Sequence, residues 1–239
     1  MQPDAANRKG APLRISEIYE SIQGEGLLTG TPSIFLRTSG CNLRCWFCDT
    51  PFASWKPEGE YWSIEQILEK VTGFHGKHVV LTGGEPMIFK SLVPLCIALR
   101  EAGLHLTIET AGTIYLPVEC DLMSISPKLS GSAPPISSGS WHRAHNRRRE
   151  QLCVVRNLMS NPYQLKFVVD TPRDAEEVLQ YLQRLGGRID GERVLLMPQG
   201  TDPRALDHQA EWLIPWCTEH DVRFCPRSHI HWFGNRRGT

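Results

Sequence analysis

The chain has 239 residues, 22% of them charged, and a formal net charge of +0. That balance excludes a self-repelling disordered chain and argues against a protein that coats nucleic acid or an anionic membrane with bulk positive charge. No apolar run approaches the ~18 residues of a membrane span. Residues 1–14 are polar and lack an apolar h-region, so the expectation is a cytoplasmic protein without a secretory leader. In that reducing compartment, eight cysteines point to metal or catalytic use before disulfides.

Residues 1–12 read as a flexible tail ahead of a single domain over 13–239. LRISEIY (13–19) and SIFLRTS (33–39) read as strands. Ser63 reads as the N-cap of a helix whose apolar residues Ile64, Ile67, Leu68 and Val71 fall at helical spacing. HVVLT (78–82) is a strand running into Gly83-Gly84. Then follow a helix over 90–102 and strands over 104–110 and 122–126. The Ser/Gly/Pro stretch 129–140 is a loop, followed by a basic stretch and a helix around 147–159. Strands at 165–169, 193–197 and 222–225 alternate with helices at 173–185 and 203–219. This alternation predicts an α/β fold with a parallel sheet and crossover helices. A closed barrel of eight βα units needs ~250 residues. The chain offers about six units, so a partial, open barrel is expected, with its chemistry at the C-terminal ends of the strands.

The segment GCNLRCWFCDT carries Cys41, Cys45 and Cys48 in a C-x3-C-x2-C spacing, in a loop over 40–52. Structural zinc wants four protein ligands, often as two C-x2-C pairs, and no second pair exists. Three thiolates on a four-iron cube leave one iron open, which suits a catalytic centre. A zinc site completed by a histidine such as His75, or unrelated surface thiols, are the alternatives. Cys96, Cys120, Cys153, Cys217 and Cys225 stand alone, and Cys96 fits an apolar helical pattern as a small core residue.

With Phe47 between two of the cysteines, this segment resembles the radical S-adenosylmethionine (SAM) superfamily. ESIQGEG (20–26), the Gly30-Thr31-Pro32 turn, Arg37 and CDT (48–50) narrow the resemblance. So do TGGEP (82–86), ETAGT (109–113), SPKLS (126–130), LKFVV (165–169) and MPQG (197–200). Together they resemble the 7-carboxy-7-deazaguanine synthase family over about residues 13–235. The resemblance implies a carbon–nitrogen lyase that converts 6-carboxy-5,6,7,8-tetrahydropterin to 7-carboxy-7-deazaguanine with loss of ammonia, in queuosine biosynthesis. A [4Fe-4S] cluster would cleave SAM to start the radical chemistry, with the cofactor carrying the hard step and the protein binding and orienting.

The resemblance also implies roles. Cys41, Cys45 and Cys48 would hold the cluster. Phe47, Cys48, Asp49, Gly84, Glu85, Ser126, Pro127, Lys128, Gln164, Lys166 and Gln199 would contact SAM. Ile22, Gln23, Gly24, Glu25, Arg37 and Thr82 would contact substrate, and Thr50 would share a Mg²⁺ with it. A flavodoxin- or ferredoxin-type reductant and a homodimer are implied as well. Read from the residues alone, several of these stay double. Two glycines and an acid in TGGEP suit a zwitterion reaching the backbone, but could make a plain strand-to-helix turn. Phe47 could stack on adenine or plug the loop. Thr50 could cap a turn. Arg37 could grip a carboxylate with its fork or pair with Glu25. The run WHRAHNRRRE (141–150) reads as a solvated helix face with an RNA patch as its rival, and no nucleic acid is expected. The end HIHWFGNRRGT could close the pocket or meet another subunit. Rival functions are another radical SAM enzyme, such as a glycyl-radical activase, and a zinc-stabilised tRNA-binding module.

Overall fold

The computed structural model describes residues 10–239. Most of the expected tail, residues 1–9, lies outside the described residues. β1 (Leu13–Ile22), β2 (Pro32–Thr38) and β3 (Glu60–Trp62) precede α1 (Ile64–Thr72). β4 (His78–Gly83), α2 (Leu92–Glu101), β5 (His105–Thr110) and β6 (Leu122–Ile125) follow. Next come α3 (Ser140–Arg148), α4 (Leu152–Leu158), β7 (Tyr163–Val169) and α5 (Pro172–Leu185). β8 (Val194–Pro198), α6 (Pro203–Glu219), β9 (Arg223–Phe224) and α7 (Ser228–Phe233) complete the order. Ser63 caps α1 as expected. Its hydroxyl accepts from Gln66 N at 3.2 Å and the Gln66 side chain accepts from Ser63 N at 2.8 Å, a reciprocal capping box.

The strands form one open sheet in the order β3-β1-β2-β4-β5-β6-β7-β8-β9. From β2 through β4 to β9 every pairing is parallel. The expected parallel, unclosed sheet is therefore present. β1 departs from the alternation: it pairs antiparallel with β2 and with β3. The connection 23–31 is too short for a crossover, so β1 must turn back beside β2. Two further differences are local. The helix expected around 147–159 is two helices that break at 149–151. α7 and β3 are too short to carry a period and went unexpected.

Alternate residues of the parallel strands point to opposite faces. Val79, Leu81, Leu106, Ile108, Leu165, Phe167 and Leu196 join the core under the helices. Cys96 is part of that core. The inner face is largely polar, with Thr82, Thr107, Ser124, Gln164 and Lys166 all buried. At the N-terminal end of the strands His78 accepts or donates at both ring nitrogens, 2.8 Å from Ser33 Oγ and 2.8 Å from Thr107 Oγ1. Burial and the neighbouring His105 push its pKa down to about 4, so it is neutral at pH 7.

The open side of the sheet is bridged from within by the loop after β1. Leu27 N donates to Gln164 Oε1 on β7 at 2.8 Å, Gly26 N to Cys225 Sγ at 3.1 Å, and Ser228 N to Gly24 O at 3.0 Å. The QGEG segment thus ties one end of the sheet to the other and leaves a chamber between them.

Candidate active site

The chamber has a volume of about 490 Å³ and opens at the C-terminal ends of the parallel strands. Its upper wall is the cysteine loop after β2. Gly40, at φ +136 where a side chain would be strained, donates to Ala53 O at 2.8 Å and accepts from Glu85 N at 2.9 Å. Leu43 is the buried anchor. Arg44 Nη1 donates to Cys41 O at 2.8 Å and to Leu43 O at 2.6 Å, and Trp55 Nε1 donates to Cys45 O at 3.0 Å. Cys41, Cys45 and Cys48 all line the chamber. Burial pushes the thiols of Cys41 and Cys45 up to about 12 and about 11. Three cysteine sulfurs facing one chamber, with no fourth protein ligand beside them among the described residues, are the donor set that fits a four-iron cluster with one open iron.

The zinc alternative with His75 fails on placement. His75 precedes β4, at the opposite end of that strand from the cysteine loop. Among the described residues no three His, Cys, Asp or Glu side chains are gathered around one ion-sized point. Zinc would draw its sulfurs to ~2.3 Å from a single centre.

TGGEP is read differently once seen in place. A Cβ at Gly84 would stand 2.3 Å from Gly40 O and 2.5 Å from Ala53 O, and one at Gly83 would stand 2.3 Å from Thr38 Oγ1. Both glycines still line the chamber, but each is needed to seat the cysteine loop and β2. Glu85 is fully buried and does not line the chamber. Its carboxylate accepts from Thr110 Oγ1 and Ala111 N, both at 2.8 Å, and from Met87 N at 3.1 Å. It fastens the turn to the end of β5 and leaves no acceptor facing a zwitterion. Gly84→Ala should therefore displace the cysteine loop. The expected loss is ~1–3 kcal/mol of stability, seen as a lower Tm together with reduced iron content after anaerobic loading.

Of the other residues expected to meet SAM, Phe47, Asp49, Ser126, Lys128, Lys166 and Gln199 line the chamber. Lys128 Nζ donates to Ser126 O at 2.6 Å and to Ser126 Oγ at 2.8 Å, close under the cysteine loop. Pro127 and Gln164 do not line it. Gln164 is spent on the bridging loop and on Ser124 Oγ at 2.7 Å. Lys166 belongs to the deeper half instead. Its Nζ lies 2.5 Å from Glu25 Oε2 and 3.6 Å from Glu109 Oε1.

That deeper half gathers Ile22, Gln23, Gly24, Glu25, Arg37 and Thr82, the residues expected to meet substrate. Arg37 does not pair with Glu25. Its Nε donates to Glu17 Oε1 at 2.7 Å and its Nη2 to Tyr19 OH at 3.3 Å. Tyr19 stacks on Phe35 at 5.3 Å and 12°, giving the chamber a flat aromatic wall. Glu25 holds Lys166 and Arg227, whose Nε is 3.2 Å away. Burial alone would raise the Glu25 carboxyl, but Lys166, Arg227 and His229 outweigh it and hold the group well below the usual carboxylate range. Arg227 also pairs with Asp49 and donates to Gly200 O at 2.6 Å. Thr50 lines the chamber with its hydroxyl 3.8 Å from Cys48 Sγ and makes no side-chain cap.

Sequence reasoning missed Glu17, Tyr19, Glu109, Arg227, His229 and Arg237, all of which line the chamber. Glu109 accepts from Thr82 Oγ1 at 2.9 Å and Gln23 Nε2 at 3.4 Å. It stood in the ETAGT motif without a role. Arg227, His229 and Arg237 lie in a segment with no period. Residues 234–239 fold over the chamber mouth. Arg237 there binds Glu17 Oε2 and Glu58 Oε2, each at 2.9 Å, and lies 4.1 Å over the Phe52 ring.

A three-thiol loop at the C-terminal rim of an open parallel sheet defines a radical SAM enzyme, and a model of the Radical SAM superfamily matches residues 35–126. The chain is 48% identical to the 7-carboxy-7-deazaguanine synthase of Rhodopirellula baltica, over 99% of this chain and 93% of that one. It is 42% identical to the enzyme of the same name from Halobacterium salinarum, over 92% and 90%. It belongs to the 7-carboxy-7-deazaguanine synthase family. The crystal structure of QueE from Escherichia coli superposes with a TM-score of 0.66 at 25% identity, covering 91% of this chain and 94% of that one.

Proposed function

We propose that this chain converts 6-carboxy-5,6,7,8-tetrahydropterin to 7-carboxy-7-deazaguanine with loss of ammonia. The carrying observation is a single chamber with the three cysteines at one end and, at the other, a flat aromatic wall beside Arg37. When bound, the cluster and SAM supply the radical that begins the chemistry. The residues do the remaining work of binding and orientation. Phe47, Ser126, Lys128 and Gln199 are the SAM contacts that fit this reading. Arg37, held by Glu17, presents a fixed cation to the substrate carboxylate. The Tyr19–Phe35 stack suits a planar ring, and Gln23, Thr82 and Glu109 offer donors and acceptors to its edge. The tail over the mouth limits water access. A chamber of about 490 Å³ with residues 234–239 along its mouth suits a small ring better than the protein segment a glycyl-radical activase must admit.

The decisive experiment is anaerobic turnover with carboxytetrahydropterin, SAM and dithionite, with the product read by mass. Deazaguanine is the expected product. SAM cleavage without it would refute the substrate assignment.

Arg37→Ala should leave SAM affinity unchanged and lower kcat/KM by ~1.5–3 kcal/mol, tenfold to over a hundredfold. Arg37→Lys should recover part only, since an ammonium has no fork. Parent-like turnover by Arg37→Ala would make the residue structural.

Thr50 is assigned to a Mg²⁺ shared with substrate and water, an ion that needs few protein ligands. Chelating divalent ions should lower turnover, and Thr50→Ala should lose turnover without losing SAM binding. Equal rates with and without Mg²⁺ would remove the role. A flavodoxin- or ferredoxin-type carrier as electron source, a homodimer and a cytoplasmic location complete the reading. No helix among the described residues is long and apolar enough to cross a membrane.

A further inference from the structure

The setting of Arg37 depends on an irregularity in β1. Ile15 stands opposite Thr38 but Glu17 stands opposite Arg37, so the register shifts by one at Ser16. Directly opposed residues share a face of the sheet. An unshifted strand would set Glu17 opposite Leu36, a core residue, with its carboxylate turned under the helices. The bulge re-aims the side chain into the chamber. Two residues on and on the same face, Tyr19 stands opposite Phe35.

The two oxygens of Glu17 serve two arginines. Oε1 accepts from Arg37 Nε at 2.7 Å, and Oε2 accepts from Arg237 Nε at 2.9 Å. The Glu17 and Arg37 side chains are 13% and 14% exposed, whereas Arg237 is 45% exposed. Arg237 is also seated on the bulge, with Nη2 3.2 Å from Ser16 Oγ, while its Nη1 reaches Glu58. Gly234, at φ +73, turns the chain out of α7 and into the strap 234–239. Among the described residues, Arg237 makes every side-chain hydrogen bond and ion pair that ties this strap to the chamber wall. On Arg37, Glu17 takes Nε and Tyr19 takes Nη2, and Nη1 has no partner among the described residues.

We propose that Arg237 is a positioning residue for the reaction, acting on the substrate through Glu17 and Arg37. The proposal rests on the reading that Arg37 meets the substrate carboxylate. A carboxylate on Arg37 Nη1 must share that guanidinium with Glu17. With Arg237 in place, the Glu17 charge is divided between two cations and Oε2 is held away from Arg37. Without Arg237, the whole charge falls on Arg37, and Oε2 is free to turn onto Nη2 and close a bidentate pair. Both changes weaken the pull of Arg37 on a second carboxylate. Closure of the strap and the readiness of Arg37 are therefore one event, joined through a single side chain.

The test uses the cluster-loaded enzyme with SAM and dithionite. Arg237→Ala should raise the KM for carboxytetrahydropterin about tenfold with kcat nearly unchanged, the pattern of lost ground-state binding. SAM affinity and iron content should match the parent. Arg237→Lys should recover part of the loss, because an ammonium can pair with Glu17 but has no fork to span Glu17 and Glu58. In a Glu17→Gln background, Arg237→Ala should change KM by less than about twofold, because the relaying carboxylate is already gone. The same tenfold rise in that background would overturn the proposal, since Arg237 would then act without Glu17. An unchanged KM in Arg237→Ala, or a loss of its iron, would overturn it too. A second arm needs no substrate and follows trypsin cleavage of the strap after Arg236. Glu17→Gln should be cut severalfold faster than the parent, and equal rates would show that Glu17 does not hold the strap. A parent that cleaves SAM but makes no deazaguanine fails the substrate assignment instead, and the trypsin arm still reports the link between Glu17 and Arg237.

Discussion

Replacing any one of Cys41, Cys45 or Cys48 by Ala should abolish the iron–sulfur absorbance and all SAM cleavage. Two thiolates cannot hold a cube in a loop that presents three, and the burial that raises the free thiols gives no other stabilisation to an incomplete set. Cys96→Ala and Cys153→Ala provide the controls. Cys96 is in the core under the sheet and Cys153 is exposed on α4, so both variants should keep their iron. A colourless Cys96→Ala protein with a native Tm would mean the ligand set is wrong.

Glu25→Gln should be the most destabilising change in the chamber. It leaves buried Lys166 with only Glu109, at 3.6 Å, and strips Arg227 of one of its two carboxylates. Breaking a buried pair from one side costs ~3–5 kcal/mol, to be read from denaturant unfolding of the cluster-free chain. The pH dependence has a definite sign. The folded carboxyl titrates below its unfolded value. Its contribution is therefore present above an unfolded pKa of ~4.3 and is lost only as pH falls through the lower folded value. The difference in stability between parent and variant should hold from pH 7 down to mild acid and shrink below that. A variant as stable as the parent at pH 7 would show that Lys166 and Arg227 find equivalent partners without Glu25.

The sheet was legible because its strands alternate β-branched runs with helical spacing, and α6 was read to the residue from Pro203 to Glu219. The cysteine loop was legible from its spacing. What failed, failed for a common reason. The antiparallel turn-back of β1 depends on the length of a connection, and the roles of Glu85 and Gln164 depend on what lies across the sheet. Both are chemically plausible ligands until Thr110, Ala111 and Leu27 are seen occupying them. Lys166 shows the reverse case. In LKFVV it looks like an intruder in an apolar strand, but alternation turns it inward where Glu25 waits. Arg227 and His229 carry no local signal, because their partner is 202 residues away for Arg227.

The link between Arg227 and Asp49 has a consequence for biosynthesis. One partner sits directly after the last cluster cysteine and the other is 178 residues downstream. Contacts of such separation close late in folding. Until residue 227 is in place, neither Asp49 nor Glu25 has its Arg227 partner. The flank of the cysteine loop at Asp49 is therefore held by a segment made near the end of synthesis, so a chain shortened before Arg227 would keep all three cysteines and lose the ion pair that pins them.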